Sequence, residues 1–315
     1  MSNHLKRVLI AIVGIPVIIA ASVAGGIYFF LLVSAISALS LYEFYKIAEK
    51  KGAKPVVTIG IVSGFFVNLS FFHVKLRDFI AGYAQSHAIF MPFPSQTQLL
   101  FMTILIVVIL LGLVELFRNN GSAILNLSAT VLGIIYISLF FGTLIGLREV
   151  FVPFDFPINR YFSVPDSYAD PAVAAQVYRW GGYTVISILA MIWVCDSAAY
   201  YAGTAFGKHK LFPRVSPKKS WEGSIAGFIF AIITAVAAKY IALDYLPLGS
   251  AVIIGVIAGV FGQLGDLLES LLKRDAGVKD SSLMIPGHGG VFDRFDSLLL
   301  VSPLVYLYID YILLS

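Results

Sequence analysis

Polar positions in this chain are sparse and gathered into a few short segments, with long apolar runs between them. Hydropathy predicts nine membrane helices, over roughly 8–24, 27–43, 55–72, 98–117, 123–147, 182–205, 223–242, 248–270 and 296–314. The stretch from Val8 to Tyr42 carries no charge. At about 1.5 Å of rise per residue it exceeds one crossing of a ~30 Å hydrocarbon core. It is long enough for two crossings with a tight reversal near Gly25-Gly26. The segment after MSNHLKR therefore reads as a helical hairpin and not as a cleaved leader. The expected fold is all-α, a polytopic integral membrane protein of about nine helices. Residues 1–147 would supply about five N-terminal helices, 148–181 a non-cytoplasmic loop, and 182–315 a C-terminal catalytic region with cytoplasmic motif loops. The polar insertions 73–97 and 148–181 read as ordered or semi-ordered loops.

Composition agrees: 59% of the 315 residues are hydrophobic, 13% are charged, and the mean hydropathy is +0.89. The net charge of +4 is thus a loop property, suited to anionic headgroups or a polyphosphate. With the N-terminus inside and nine alternating helices, sixteen of the 22 basic residues fall on the inner side and six on the outer. That bias predicts an N-in, C-out orientation. No basic helix or basic stripe interleaved with aromatics is present, which argues against a nucleic-acid partner. Cys195 is the single cysteine, so an intrachain disulfide is excluded.

Four polar elements on the inner side carry the candidate chemistry. Asp196, in WVCDSAAYYAG, is a carboxylate inside an apolar helix, where such a group lines a polar cavity or pairs with a neighbouring helix. The loop FGKHKLFPRVSPKKSWEG places Lys218 and Lys219 before Ser220, a candidate helix cap. A helix N-terminus beside two lysines suits a phosphate, although lysines here could also set topology. In QLGDLLESLLKR, Asp266, Glu269, Ser270 and Lys273 recur at i, i+3, i+4 and i+7 on one helix face. Asp266 lies deepest, as a metal ligand would. The fourth element, PGHGGVFDRFD, surrounds His288 with Gly287, Gly289 and Gly290 and sets Asp293 and Asp296 one turn apart. Hard oxygen ligands of this kind suit Mg²⁺. Walker loops, Ser-His-Asp order, zinc spacings and dinucleotide fingerprints are all missing. Cations beside carboxylates favour phosphoryl or nucleotidyl transfer, in which positioning and charge neutralisation do most of the catalysis.

The order Ser270, Lys273-Arg274, Lys279-Asp280, His288-Gly289-Gly290, Asp293-Arg294, Asp296 resembles the signature of the phosphatidate cytidylyltransferases, with every interval kept. The upstream SPKKSWEG and the Asp196 segment also resemble that family, so the specific likeness covers roughly residues 180–315. The resemblance implies a Mg²⁺-dependent reaction in which CTP and phosphatidate yield CDP-diacylglycerol and pyrophosphate. It implies Asp266 and Asp293 as metal ligands, with Asp196 and Asp296 as further candidates. Lys218, Lys219, Lys273, Arg274 and Arg294 are expected to hold CTP and lipid phosphates, and Ser220 and His288 to donate to phosphate oxygens. Ser270, Lys279, Gly289 and Gly290 complete the expected substrate-binding set. The resemblance also implies a homodimer. The compact chain without a long polar N-terminal tail reads as bacterial, which suggests an inner membrane, and the charge bias sets the motif loops on the cytoplasmic face. Two other readings stay open: a CTP-dependent polyprenol or lipid kinase, which would move the γ-phosphate, and a membrane transporter.

Overall fold

The computed structural model describes residues 3–87, 93–152, 156–157, 160–162, 170–282, 284 and 289–314. A hydrocarbon environment offers the backbone no hydrogen-bond partners, so apolar runs close their N–H and C=O groups internally as helices. The chain is accordingly an all-α polytopic membrane protein. Its helices are α1 (Asn3–Ala24), α2 (Gly26–Lys50), α3 (Val57–Phe71), α4 (His73–Ser86), α5 (Gln96–Phe117) and α6 (Ala123–Gly133). A π-helical turn, Ile134–Leu139, leads from α6 straight into α7 (Phe140–Glu149). There follow α8 (Pro171–Phe206), α9 (Trp221–Ile241), α10 (Leu248–Asp275) and α11 (Phe292–Tyr308), the last ending in a second π-helical turn.

Every predicted span meets a helix. Among the described residues seven helices are long and apolar enough to cross a membrane, and the α3–α4 pair would make an eighth. Helix α3, with 15 residues, rises only about 22 Å before the chain bends by 81° into α4, which carries Lys75, Arg77 and Asp78. The apolar stretch Ile12–Ala24 of α1 is also short of a full crossing. The insertion 73–97 therefore contains a helix where a loop was expected. The expected 148–181 loop is shorter at both ends. Arg148 and Glu149 belong to the buried last turn of α7, and α8 starts at Pro171. Asp170 caps that start by accepting from the Ala172 N–H at 2.8 Å, and proline suits the first helical position. Between α8 and α9 a small antiparallel hairpin appears, β1 (Lys210–Phe212) with β2 (Ser216–Ser220), in a fold expected to be wholly helical.

Packing joins the two halves of the chain. Helices α8, α9 and α10 form one packed row, and α11 lies against α10, α7 and α2. Lys51 pairs with Asp275 and Lys54 donates to Asn120, so the C-terminal ends of α2 and α10 share one end of the bundle with the α5–α6 turn. At the opposite end α1 reverses into α2 through Gly25 and Gly26, both with positive φ, as their place in the uncharged run predicted. The reversal leaves the last carbonyls of α1 without helical partners. Arg148, fully buried, donates to Ser22 O (2.9 Å) and Val23 O, and the Tyr178 hydroxyl donates to Ala24 O at 2.7 Å.

A Cβ on residue 25 would overlap the Arg148 guanidinium and the Tyr178 hydroxyl, at a φ of +59° that side chains resist. Gly25→Ala is therefore expected to cost about 1–3 kcal/mol, read as a lower unfolding midpoint in detergent. An unchanged midpoint would mean that this turn is not held as described.

Candidate active site

The hairpin decides where the basic loop goes. Strand β2 runs antiparallel to β1, with Lys210 opposite Ser220 and Phe212 opposite Ser216. The Trp221 N–H donates to His209 O, and Glu222 accepts from the N–H and ring of His209. Ser220, buried, caps α9 by accepting from the Gly223 N–H at 3.3 Å, as its position before Trp221 predicted. Lys219 is thereby turned towards α10, where its Nζ lies 2.7 Å from an Asp266 carboxylate oxygen. Ser270, one turn further along α10, donates to the other oxygen of Asp266 at 3.4 Å.

Two more carboxylates share this corner. Asp196 on α8 and Asp296 on α11 both lie within electrostatic reach of Asp266 and of Lys219. Gly265 makes the approach possible: a Cβ there would stand 2.5 Å from the Asp296 carbonyl and 3.1 Å from Ser297 Cα. Helices in lipid meet closely where such small residues face each other. Three carboxylates, one hydroxyl and one ammonium from α8, α10, α11 and β2 thus converge, although they are scattered over 100 residues of sequence.

A second cluster lies beside the first. Lys273 Nζ is 2.6 Å from Glu269 and 2.7 Å from Asp293. Asp293 also accepts from the N–H groups of Gly290 (2.8 Å) and Ser281 (3.1 Å). Gly289 turns the chain here with a φ of +83°. These charges are all but sealed, with side chains exposed by 10% for Lys273, 1% for Glu269 and 6% for Asp293. Behind them stands Glu43 of α2, fully buried. It accepts from Ser281, Ser282, Val291 and Phe292.

The sequence profile of the Cytidylyltransferase family matches residues 5–312. This chain belongs to the cytidylyltransferase family. A phosphatidate cytidylyltransferase of Synechocystis sp. is 30% identical over 310 residues, 96% of each chain. Proteins of the same name from Bacillus subtilis and Haemophilus influenzae are 43% and 45% identical over 128 and 127 residues. Those two shorter matches cover 41% and 39% of this chain and 48% and 44% of the relatives.

Within this cytidylyltransferase the predicted residues fall into distinct places. Asp196, Lys219, Asp266, Ser270 and Asp296 converge, and Lys273, Asp293 and Gly290 form the adjoining cluster. Arg274 is exposed and donates to Val278 O at 3.0 Å. Lys218, Lys279 and Arg294 are exposed around the rim. His288 lies outside the described residues. Glu269 was read on the helix face of Asp266 but given no role, and Glu43, more than 200 residues from the signature, escaped the sequence reading. The only signal for Glu43 was its carboxylate within the apolar periodicity of α2.

Lys273 bridges two nearly sealed carboxylates, so removing it leaves both without its ammonium. Lys273→Met is expected to cost about 3–5 kcal/mol in thermal or denaturant unfolding. Arg274→Met, at the exposed neighbour, should change stability by no more than about 0.5 kcal/mol. Equal effects of the two variants would refute this division of roles.

Proposed function

We infer that this enzyme joins CTP to phosphatidate, giving CDP-diacylglycerol and pyrophosphate, a nucleotidyl transfer of phospholipid biosynthesis. The observation that carries the reading is the convergence of Asp196, Asp266, Asp296 and Lys219 in a chain that matches a phosphatidate cytidylyltransferase over 96% of both lengths. In the reaction an oxygen of the phosphatidate phosphate attacks the α-phosphorus of CTP. The new P–O bond forms as the bond to the β-phosphate bridging oxygen breaks, and pyrophosphate leaves. The attacking group is already an anion, so no side chain has to act as its base.

Mg²⁺ is the implied cofactor, and the donors suit it. Carboxylates of Asp196, Asp266 and Asp296 and the Ser270 hydroxyl are hard oxygen ligands. Among the described residues no three His, Cys, Asp or Glu side chains are grouped closely enough to hold a metal ion by themselves. Mg²⁺ commonly takes one or two carboxylates and fills its remaining positions with water and substrate phosphates. Bound there it would neutralise charge on the triphosphate. Asp266 and Asp296 would hold it from adjoining helices, with Asp293 one turn from Asp296. Lys219, now paired with Asp266, would exchange that carboxylate for a phosphate oxygen. Lys218 and Arg274 at the rim would meet the triphosphate from outside. Lys273, shared between Glu269 and Asp293, would act by holding Asp293 in place.

The lipid needs an apolar wall beside these charges. A groove of about 330 Å³ runs between the hairpin and α10, lined by Phe212, Val215, Leu264, Leu268 and Leu271, with Arg214 among its lining residues. An acyl chain of phosphatidate would lie along the leucines, and Arg214 would face its phosphate. Lys46, Lys50, Lys51, Lys218, Lys219 and Lys273 crowd this end of the bundle. The positive-inside bias supports a cytoplasmic position for it, where CTP is found. The bacterial relatives support an inner-membrane location. The family resemblance adds a homodimer.

CTP labelled separately at its α- and γ-phosphates tests the chemistry in phosphatidate micelles with Mg²⁺. The α-label should enter lipid and the γ-label should leave as pyrophosphate; γ-label in lipid would make the protein a kinase instead. Asp266→Asn should reduce turnover at least about 100-fold while the protein still folds and inserts. Arg214→Ala should raise the apparent KM for phosphatidate several-fold, about 1 kcal/mol, and leave that for CTP alone. A phosphatidate KM that does not move would remove the groove from the lipid site.

A further inference from the structure

We propose that Glu43, on α2 and far outside the signature, is a positioning residue that sets the first turn of α11 for cytidylyl transfer. A carboxylate with no exposed surface is tolerated only when donors replace its water. Glu43 has four, two on each oxygen. Oε1 accepts from Ser282 Oγ (2.5 Å) and the Val291 N–H (3.0 Å). Oε2 accepts from Ser281 Oγ (2.9 Å) and the Phe292 N–H (2.8 Å). All four donors belong to the signature segment, on either side of the His-Gly-Gly turn, and none belongs to α2 itself.

The clamp reaches the reacting groups through the backbone. The first turns of α11 carry Asp293, Arg294 and Asp296, and Asp293 takes the neighbouring Gly290 and Ser281 N–H groups. Glu43 and Asp293 therefore divide between them the amides at 281, 290, 291 and 292. The amide-rich start of α11 favours an anion, and here protein carboxylates supply it. With those amides taken, a substrate phosphate is left to the Lys219 side. Aromatic contacts fix the same turn. The Phe292 ring lies 6.3 Å from that of Phe44, the next residue on α2, and 6.2 Å from Tyr136 of the π-helical turn, both edge-on.

Glu43 also accounts for a residue of the signature. A Cβ on Gly290 would overlap the Ser281 hydroxyl and the Glu43 carboxylate, so the second glycine of the Gly-Gly pair makes room for Glu43. A helix rotates by about 100° per residue, so a small slip of α11 would carry Asp296 away from Asp266. An effect on turnover rests on the cytidylyltransferase reading; the clamp itself does not.

The test compares wild type, Glu43→Gln, Glu43→Asp and the pair Ser281→Ala/Ser282→Ala in phosphatidate micelles, with rates normalised to folded enzyme. Glutamine keeps the shape but turns one acceptor into a donor facing other donors. It should lower kcat about 10–100-fold while the KM for CTP stays within about threefold, because misplacement of roughly 1 Å is enough to do so. Glu43→Asp should recover part of that loss. The serine pair should lower kcat by less, and combining it with Glu43→Gln should add little. Amide hydrogen exchange at residues 290–297 should rise in Glu43→Gln and in the serine pair, a readout that needs no turnover. If Glu43→Gln does not fold, the serine pair decides. A kcat per folded molecule within about twofold of wild type, or unchanged exchange, overturns the proposal. An inactive wild type whose variants still lose exchange protection would instead count against the functional reading and keep the clamp.

Discussion

A charge inside a helical membrane bundle survives only if other protein groups take over the work of water, and in this enzyme that constraint organises the whole reactive end. Lys273 sits between Glu269 and Asp293 at 2.6 and 2.7 Å. Asp293 also accepts from two backbone amides, and Glu43 accepts from four donors. Each group is stable because the next is present, so these interactions lock α2, α10, α11 and the 281–282 segment into one arrangement. The corner at Asp266 and Lys219 stays more accessible, with side chains about one quarter to one third exposed. Stability and chemistry are divided between two adjoining clusters, one sealed and one approachable.

Close backbone approach is the second requirement. Lipid gives apolar helices little reason to prefer each other over acyl chains, so tight contact depends on small residues. Gly265 lets α10 touch α11 beside Asp266 and Asp296, and Gly223 and Gly227 bring α9 against α8 near Asp196. The carboxylates converge because the glycines next to them remove the side chains that would hold the helices apart. At the other end of the bundle, Arg148 and Tyr178 close the carbonyls that the Gly25 reversal leaves open. The same principle of internal satisfaction thus operates without any catalytic role.

The arrangement matches what nucleotidyl transfer to a lipid phosphate asks of a protein. Polyphosphate charge needs cations and hard oxygen donors, and a lipid acceptor needs an apolar surface. Helix α10 carries the raw materials of both, with Asp266, Ser270 and Lys273 on one face and the leucines of the groove on another.

Hydropathy alone determined the helical class, the approximate position of every long helix and the Gly25-Gly26 reversal, because a backbone in lipid has few options. Motif spacing determined the family and most of the candidate residues, because the site's charges are dense in a chain that otherwise excludes them. The polar α4, the early start of α8 and the hairpin at 210–220 were not legible. They depend on capping by Asp170, on an 81° bend and on strand pairing, none of which follows from mean hydropathy. Spacing also could not show that Lys219 meets Asp266, that Lys273 is consumed by two carboxylates, or that Glu43 holds the signature turn from more than 200 residues away. Those are contacts between elements distant in sequence, and only the packing of one helix against another brings their partners within hydrogen-bonding range.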